Sequence, residues 1–256
     1  TILAQQTFGG PADDIPVKLL KLYDGLMILA KTTTTTLPLH HGGTDVYAIK
    51  IQDAGSSFNL QWDKCLGGSS TDEVYGAVLD NNGNALIVSE TSSNNGDVTS
   101  PHGGSEIWVV SLSSSGVINW QKCYGGSSNE FFGGVVKTAD QNLVIASRSA
   151  SLDGNVTGLH YGGILIPDAW VLKIDFSGNI LWQNCFGGTG IETVHGAAEQ
   201  NGELYIATTT TGNSGDVSGY HGGASDIWVF KLSQSGSLLW QKCLGGTKTD
   251  GFIQTG

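Results

Sequence analysis

Along most of the chain apolar residues alternate with polar ones or gather in short runs. No stretch places sustained i, i+3, i+4 apolar spacing behind an N-cap, so no helix is predicted. Residues 68–125 show the pattern best. Tyr75–Leu79 and Ala85–Ser89 are apolar-rich runs around Asn81-Asn82-Gly83-Asn84, residues that tolerate the positive φ of a hairpin turn. A polar loop, Thr91–Ser105, follows, and Ile107–Leu112 and Val117–Tyr124 then flank Ser113-Ser114-Ser115-Gly116. The pattern predicts four strands, as two hairpins joined by one long loop. It returns with turns at Ala139-Asp140-Gln141-Asn142 and Phe176-Ser177-Gly178-Asn179, and again at Gln200-Asn201-Gly202-Glu203 and Ser233–Ser237.

This recurrence is a true repeat. Gly-Gly pairs stand at 9–10, 67–68, 125–126, 187–188 and 245–246, at offsets of 58, 58, 62 and 58. Trp-x-x-Cys precedes four of them, as Trp62/Cys65, Trp120/Cys123, Trp182/Cys185 and Trp240/Cys243. In the first copy Ala4 and Thr7 take those places. An acid follows each second glycine by four residues: Asp14, Asp72, Glu130, Glu192 and Asp250. A four-stranded antiparallel unit of about 58 residues cannot bury both faces alone. An all-β propeller follows, its blades over 10–67, 68–125, 126–187 and 188–245 within one domain, 1–256. Residues 1–9 are expected to supply the fourth strand that completes the last blade, and 246–256 to open a further, partial one. Five blades are expected, four of them complete here; a four-bladed ring with overlapping ends and a stacked solenoid are the rivals.

Charge and composition narrow the function. Twelve Lys+Arg against 23 Asp+Glu give −11, which argues against nucleic acid and anionic membrane as partners. No apolar run reaches the ~20 residues of a membrane helix. The chain starts at Thr1 without a basic-then-apolar leader, so any export signal is expected to have been removed or to lie outside this sequence. The four cysteines are too evenly spread for a disulfide framework or a zinc quartet and read as small buried hydrophobes, a mild point against export. All seven tryptophans have scaffold places: four on fourth strands, and Trp108, Trp170 and Trp228 on third strands.

The blade pattern Gly-Gly-Ser-Ser-Thr-Asp-Glu (67–73), Gly-Asn-Ala-Leu-Ile-Val (83–88), Gly-Asp-Val (96–98), His-Gly-Gly (102–104), Glu-Ile-Trp-Val-Val (106–110) and Trp-Gln-Lys-Cys-Tyr-Gly-Gly (120–126) resembles the secreted bacterial β-propeller repeat family. The likeness is nearest to repeats of large cell-surface proteins exported by the type IX route. It implies a propeller scaffold, a secreted or outer-surface location and no particular activity. The first copy departs most, with Thr32–Thr36 in place of the Gly-Asp-Val loop.

In a propeller the loops from fourth to first strands and from second to third strands share one face. That face is expected to gather His41, His102, His160 and His221 with Tyr161, Tyr220, Asp72, Glu130 and Glu192 as a candidate ligand-binding rim. The competing reading makes the acids acceptors for turn N–H groups and the histidines tethers of a long loop. Asn95, Asp97, Asp153, Asn155 and Asp216 crowd oxygen ligands beside a glycine; Ca²⁺ is the ion such loops could hold, although Asx-turns explain them equally and no cofactor is required. Three features break the symmetry: the expansion His160–Asp168 with Ile164, Leu165 and Ile166, the doubled His40-His41, and His195 on a first strand. No nucleophile–base pair is visible. The expectation is therefore a non-enzymatic binding or display module at the cell surface, its partner a polysaccharide, another surface protein or a neighbouring domain. A structural spacer in an adhesin or filament is the first alternative. The second is a polysaccharide hydrolase or lyase using carboxylates such as Asp72 and Glu130 at the channel mouth.

Overall fold

The computed structural model describes residues 2–160 and 166–250, and every strand in it belongs to one of four antiparallel four-stranded sheets. Two compact units divide the chain. The first, Thr1–Pro101 with Ser105–Tyr124, holds two sheets. One is β1 (Asp14–Leu22), β2 (Gly25–Thr32), β3 (Asp45–Asp53) and β4 (Phe58–Leu66); the other is β5 (Asp72–Leu79), β6 (Ala85–Thr91), β7 (Glu106–Leu112) and β8 (Ile118–Tyr124). The second unit, His102–Gly104 with Gly125–Gly256, holds β9 (Glu130–Lys137), β10 (Leu143–Ser149), β11 (Asp168–Ile174) and β12 (Ile180–Phe186), then β13 (Glu192–Gln200), β14 (Glu203–Thr210), β15 (Asp226–Leu232) and β16 (Leu238–Leu244). In each sheet the strands lie side by side in chain order. The class is all-β, the described residues contain no helix, and the sheets are blades of a propeller-like fold. Residues 2–10 take no part in a strand, and Ile2 and Leu3 are 77% and 79% exposed. Residues 251–256, assigned by the repeat to a further blade, lie outside the described residues.

Each unit buries a core between its two sheets. In the first, Met27, Leu29, Val46 and Leu66 meet Val74, Ile87, Trp108 and Val110. In the second, Val144, Val171 and Phe186 meet Val194, Ile206, Trp228 and Phe230, with the two phenylalanine rings 5.1 Å apart. Burying each aliphatic side chain is worth roughly 1.5–3 kcal/mol, so the alternation along the strands sets which face turns inward. First strands come together, β1 beside β5 and β9 beside β13.

Of the repeated fourth-strand tryptophans, Trp62 and Trp182 occupy equivalent surroundings, whereas Trp240 is 43% exposed and meets Tyr205 edge-on, ring centroids 6.3 Å apart. Trp62 donates its indole N–H to the Ser114 carbonyl at 3.0 Å, and Trp182 donates to the Gln234 carbonyl at 2.9 Å. Both rings lie on the glycine of that turn. Gly116 has φ +79° and Gly236 φ +81°, and a Cβ there would stand 3.1 Å and 2.8 Å from the ring, so the joint excludes any other residue twice over. Trp108, Trp170 and Trp228 are wholly buried, and each donates to a fourth-strand glutamine (Gln121, Gln183, Gln241) at 2.7–2.8 Å. The four cysteines are free and buried, and burial pushes the thiols of Cys65 and Cys123 up to about 12.

Candidate functional site

The acids Asp14, Asp72, Glu130 and Glu192, four residues beyond their Gly-Gly pairs, open first strands, where their side chains fold back under the turn. Asp72 accepts the Gly68 N–H at 2.7 Å, Glu130 the Gly126 N–H at 3.0 Å and Glu192 the Gly188 N–H at 3.3 Å. Asp14 and Asp250 do the same for Gly10 and Gly246. The remaining oxygen takes hydroxyls from the end of the second strand: Thr91 on Asp72, Ser149 and Ser151 on Glu130, Thr210 on Glu192. Asp72, Glu130 and Glu192 are fully buried. They brace the turns from within and offer no oxygen to solvent.

A second acid in each blade opens the third strand. Asp45, Asp168 and Asp226 are buried and accept the N–H of His41, His160 and His221 at 2.7–2.8 Å through one oxygen. Their other oxygen, Oδ1 in each, has no hydrogen-bond partner. It faces the first-strand acid of the following blade across a glycine. A Cβ on Gly187 would stand 2.3 Å from Glu192 Oε2 and 2.7 Å from Asp168 Oδ1, and one on Gly67 2.6 Å from Asp72 Oδ2 and 2.7 Å from Asp45 Oδ1. Two buried carboxylates this close cannot both ionise at low cost. Burial, joined by the charge of Asp168, pushes Glu192 up to about 8; burial also raises Asp168, Asp45 and Asp72. A proton on Glu192 would supply the donor that Asp168 Oδ1 lacks.

The histidines tie the long loops down. His160 bridges two acids, Nδ1 at 2.9 Å from Asp168 Oδ2 and Nε2 at 3.1 Å from Asp216 Oδ2. His221 Nδ1 lies 2.8 Å from Asp226 Oδ2, while His41 sits 3.4 Å from Asp45 and 3.9 Å from Asp97. His102 is exposed. Tyr220 folds onto its own loop, donating its hydroxyl to the Gly223 carbonyl at 2.7 Å. Tyr161, Ile164 and Leu165 lie outside the described residues. A polar cleft of about 410 Å³ in the second unit opens on His160 and Asp216, with Thr157, Gln183, Asn184 and Ser237 around it.

The oxygen-rich loops spend their acceptors on the same Gly-Gly turns. Asn95 accepts the Ser69 N–H, Asp97 that of Gly67, Asp153 that of Ser127, Asn155 that of Gly125 and Asp216 that of Gly187, at 2.7–3.4 Å. Hydrogen bonds from the Ser127 backbone and side chain hold the Asp153 carboxyl below its usual range. Among the described residues no three His, Cys, Asp or Glu side chains converge as a metal-ligand set.

A different place in the second unit breaks the repeat. A pocket of about 370 Å³ is lined by Ser127, Ser128 and Asn129 from the turn after β8, Phe131 on β9, Arg148 on β10, and Ile191. Phe131 and Arg148 are register partners on adjacent strands, which sets the guanidinium over the ring at 4.5 Å from its centroid. Arg148 also donates to the Thr193 hydroxyl at 3.2 Å. Phe131 and Ile191 are 36% and 40% exposed. The pocket thus pairs an accessible apolar floor with serine hydroxyls, an amide and one cation. Sequence reasoning passed over Arg148, yet two signals pointed to it. It is the only arginine in the chain, and the matching second-strand positions hold Lys31, Glu90 and Thr209, so the scaffold does not demand it.

No family model and no curated protein matches this chain, so the resemblance to exported repeat proteins has no match behind it. Among solved structures, a Trypanosoma rangeli sialidase in complex with the inhibitor DANA is similar over 91% of this chain and 38% of its own, at 14% identity and a TM-score of 0.46. A candidate glycoside hydrolase from Parabacteroides distasonis is similar over 90% and 72%, at 6% identity and a TM-score of 0.42. The chain therefore spans well under half the length of that sialidase. The expectation that it is not an enzyme is corrected on this finding: both neighbours are named for the cleavage of glycosides, and the absence of activity is not maintained.

Proposed function

We propose that this chain recognises carbohydrate, with the sugar ring seated on Phe131 in the pocket beside Arg148. The observation that supports this reading is the composition of that pocket: a partly exposed aromatic ring, two serines, an asparagine and an arginine around about 370 Å³, the mixture of apolar floor and few polar groups that orients a small polar ligand. Its departure from the repeat adds weight, because scaffold features recur in every blade. Export to the cell surface belongs to the same proposal, in keeping with the repeat pattern and the low-charge acidic composition. The test is binding of a panel of oligosaccharides to the intact chain and to Phe131→Ala, with reducing-end release measured on the same panel. Binding by the parent that weakens at least tenfold in Phe131→Ala supports the reading. A panel bound equally by both proteins, or by neither, overturns it. Release of reducing ends that depends on Phe131 adds catalysis to recognition.

A further inference from the structure

We propose that this chain docks head to tail on a second copy of itself, through the outer face of its fourth sheet (β13–β16). The joint inside each unit shows how such a face is covered. There the face carrying the fourth-strand tryptophan packs on the opposite face of the next sheet, so Leu66 at the end of β4 is 1% exposed and Phe186 at the end of β12 is buried. Leu244 ends β16 in the same way and is 44% exposed. Beside it Tyr205, Ala207, Ile227, Val229 and Trp240 are all at least partly exposed, whereas Val144, Ala146, Ala169 and Val171, at the matching places of the sheet β9–β12, are wholly buried. Trp240 pairs in register with Lys231 as Trp182 pairs with Lys173, so it is placed for the same joint.

The complementary half of a joint is open as well, on the first sheet (β1–β4). Val74 and Ala77 of β5 are buried against the preceding sheet; in β1 their places fall to Pro16 and Leu19, both exposed, Leu19 at 59%. The β3–β4 turn has Gly55 at φ +84° with open space beside it, where Gly116 and Gly236 lie under a tryptophan. Among residues 2–10, Phe8 packs on this face near Tyr47 and Cys65, as Leu66 joins Trp108 and Cys123. Ala4 stands in the place of Trp240, and residues 2–10 form no strand, so the β16 of a second copy displaces a weak occupant. The two uncovered faces are one of each kind and largely apolar, and they fit across copies as their counterparts fit twice within the chain. Such a contact is heterologous, so it adds copies in a ring or a row and does not stop at two.

Sedimentation velocity of the intact chain over two decades of concentration tests this. It is run at about 0.15 M salt, where the repulsion between copies that each carry −11 is screened beyond ~8 Å. The weight-average mass should rise with concentration past that of two chains. Trp240→Lys and Leu19→Lys each set a charge on one of the two faces, and each should weaken association about tenfold or more. Mixed in equal amounts, the two variants should form a pair that grows no further, because each keeps the face that the other has lost. Both positions are exposed, and melting within about 2 °C of the parent shows that the variants fold; Leu244→Ser carries the test if the tryptophan variant does not. A parent that keeps the mass of one chain at every concentration overturns the proposal, and so does association that survives Trp240→Lys. Association of Leu19→Lys alone as strong as the parent's marks a pair joined through β16 on both sides and overturns the head-to-tail contact.

Discussion

Replacing Glu192 with glutamine removes the carboxyl that holds the shared proton at the joint between the two blades of the second unit. An ordinary glutamate releases its proton near 4.5 and this one near about 8. Between those values the folded chain holds this proton more tightly than the unfolded one, so the stability that Glu192 contributes is greatest below about pH 4.5, falls as pH rises, and levels off above about 8. At ~1.36 kcal/mol per decade the gap caps the loss at about 5 kcal/mol, and the close coupling to Asp168 makes a few kcal/mol the expected size. Glutamine is neutral throughout. Its amide can donate to Asp168 Oδ1, which otherwise has no partner, and its carbonyl can accept the Thr210 hydroxyl. The cost is the acceptor for Gly188, a 3.3 Å contact. Urea unfolding of parent and Glu192→Gln at pH 5, 6, 7 and 8 measures the difference, free of the other titrating groups. The two should be nearly equal at pH 5, with the variant ahead by about 2–4 kcal/mol at pH 8. A constant offset across that range, or a variant that loses ground as pH rises, would refute the shared proton.

Other expectations follow from the same geometry. Gly187→Ala drives a Cβ to 2.3 Å from Glu192 and should cost about 2–4 kcal/mol, read as a fall in urea midpoint at unchanged slope. Trp182→Phe keeps the ring on Gly236 but deletes the bond to the Gln234 carbonyl, for a loss of about 1 kcal/mol. Native protein at pH 8 should show almost no thiol reactivity, because Cys65 and Cys123 are pushed up to about 12 and Cys243 to about 11; all four should react in denaturant. At Asp140 burial opposes the charge, but the hydrogen bond from Lys173 at 2.6 Å outweighs it and holds the carboxyl below 3.8. That depressed value stabilises the fold above about pH 4 and the benefit is lost as pH falls, so the gap between parent and Lys173→Met should close between pH 5 and 2.5.

The blade was legible because its markers are physical requirements. A tryptophan that needs a carbonyl and a glycine from the next turn, and an acid that must reach back four residues to an N–H, keep their spacing wherever the joint recurs. Trp62 and Trp182 stand in matching surroundings for that reason. The acids also fixed where first strands begin: β5 starts at Asp72, ahead of the apolar run from Tyr75, with a bulge between Val74 and Gly76. Burial of those acids was less legible, since a carboxylate at a turn reads as exposed until its hydroxyl partners, 18–21 residues away, are known. The Arg148 pocket was hidden for another reason. Repeats draw the eye to what recurs, and Phe131 and Arg148 meet only through strand register. The five threonines of 32–36 show the converse: Thr32 stands where Thr91 and Thr210 stand, and Thr34 takes the place of Ser93 and Ser151, so both still bond to Asp14 and the brace survives a departure in sequence.

Residues that repeat hold the blades, whereas Phe131 and Arg148 do not repeat and are the pair proposed to meet saccharide. Saccharide affinity and melting temperature measured side by side on His160→Gln and Arg148→Gln test that division most directly. The histidine variant should melt several degrees lower, with affinity within about twofold of the parent, because it loses the bridge between Asp168 and Asp216. The arginine variant should melt within about 2 °C of the parent and lose most of its affinity for saccharide. The opposite pattern, affinity lost with His160 and kept without Arg148, would contradict it.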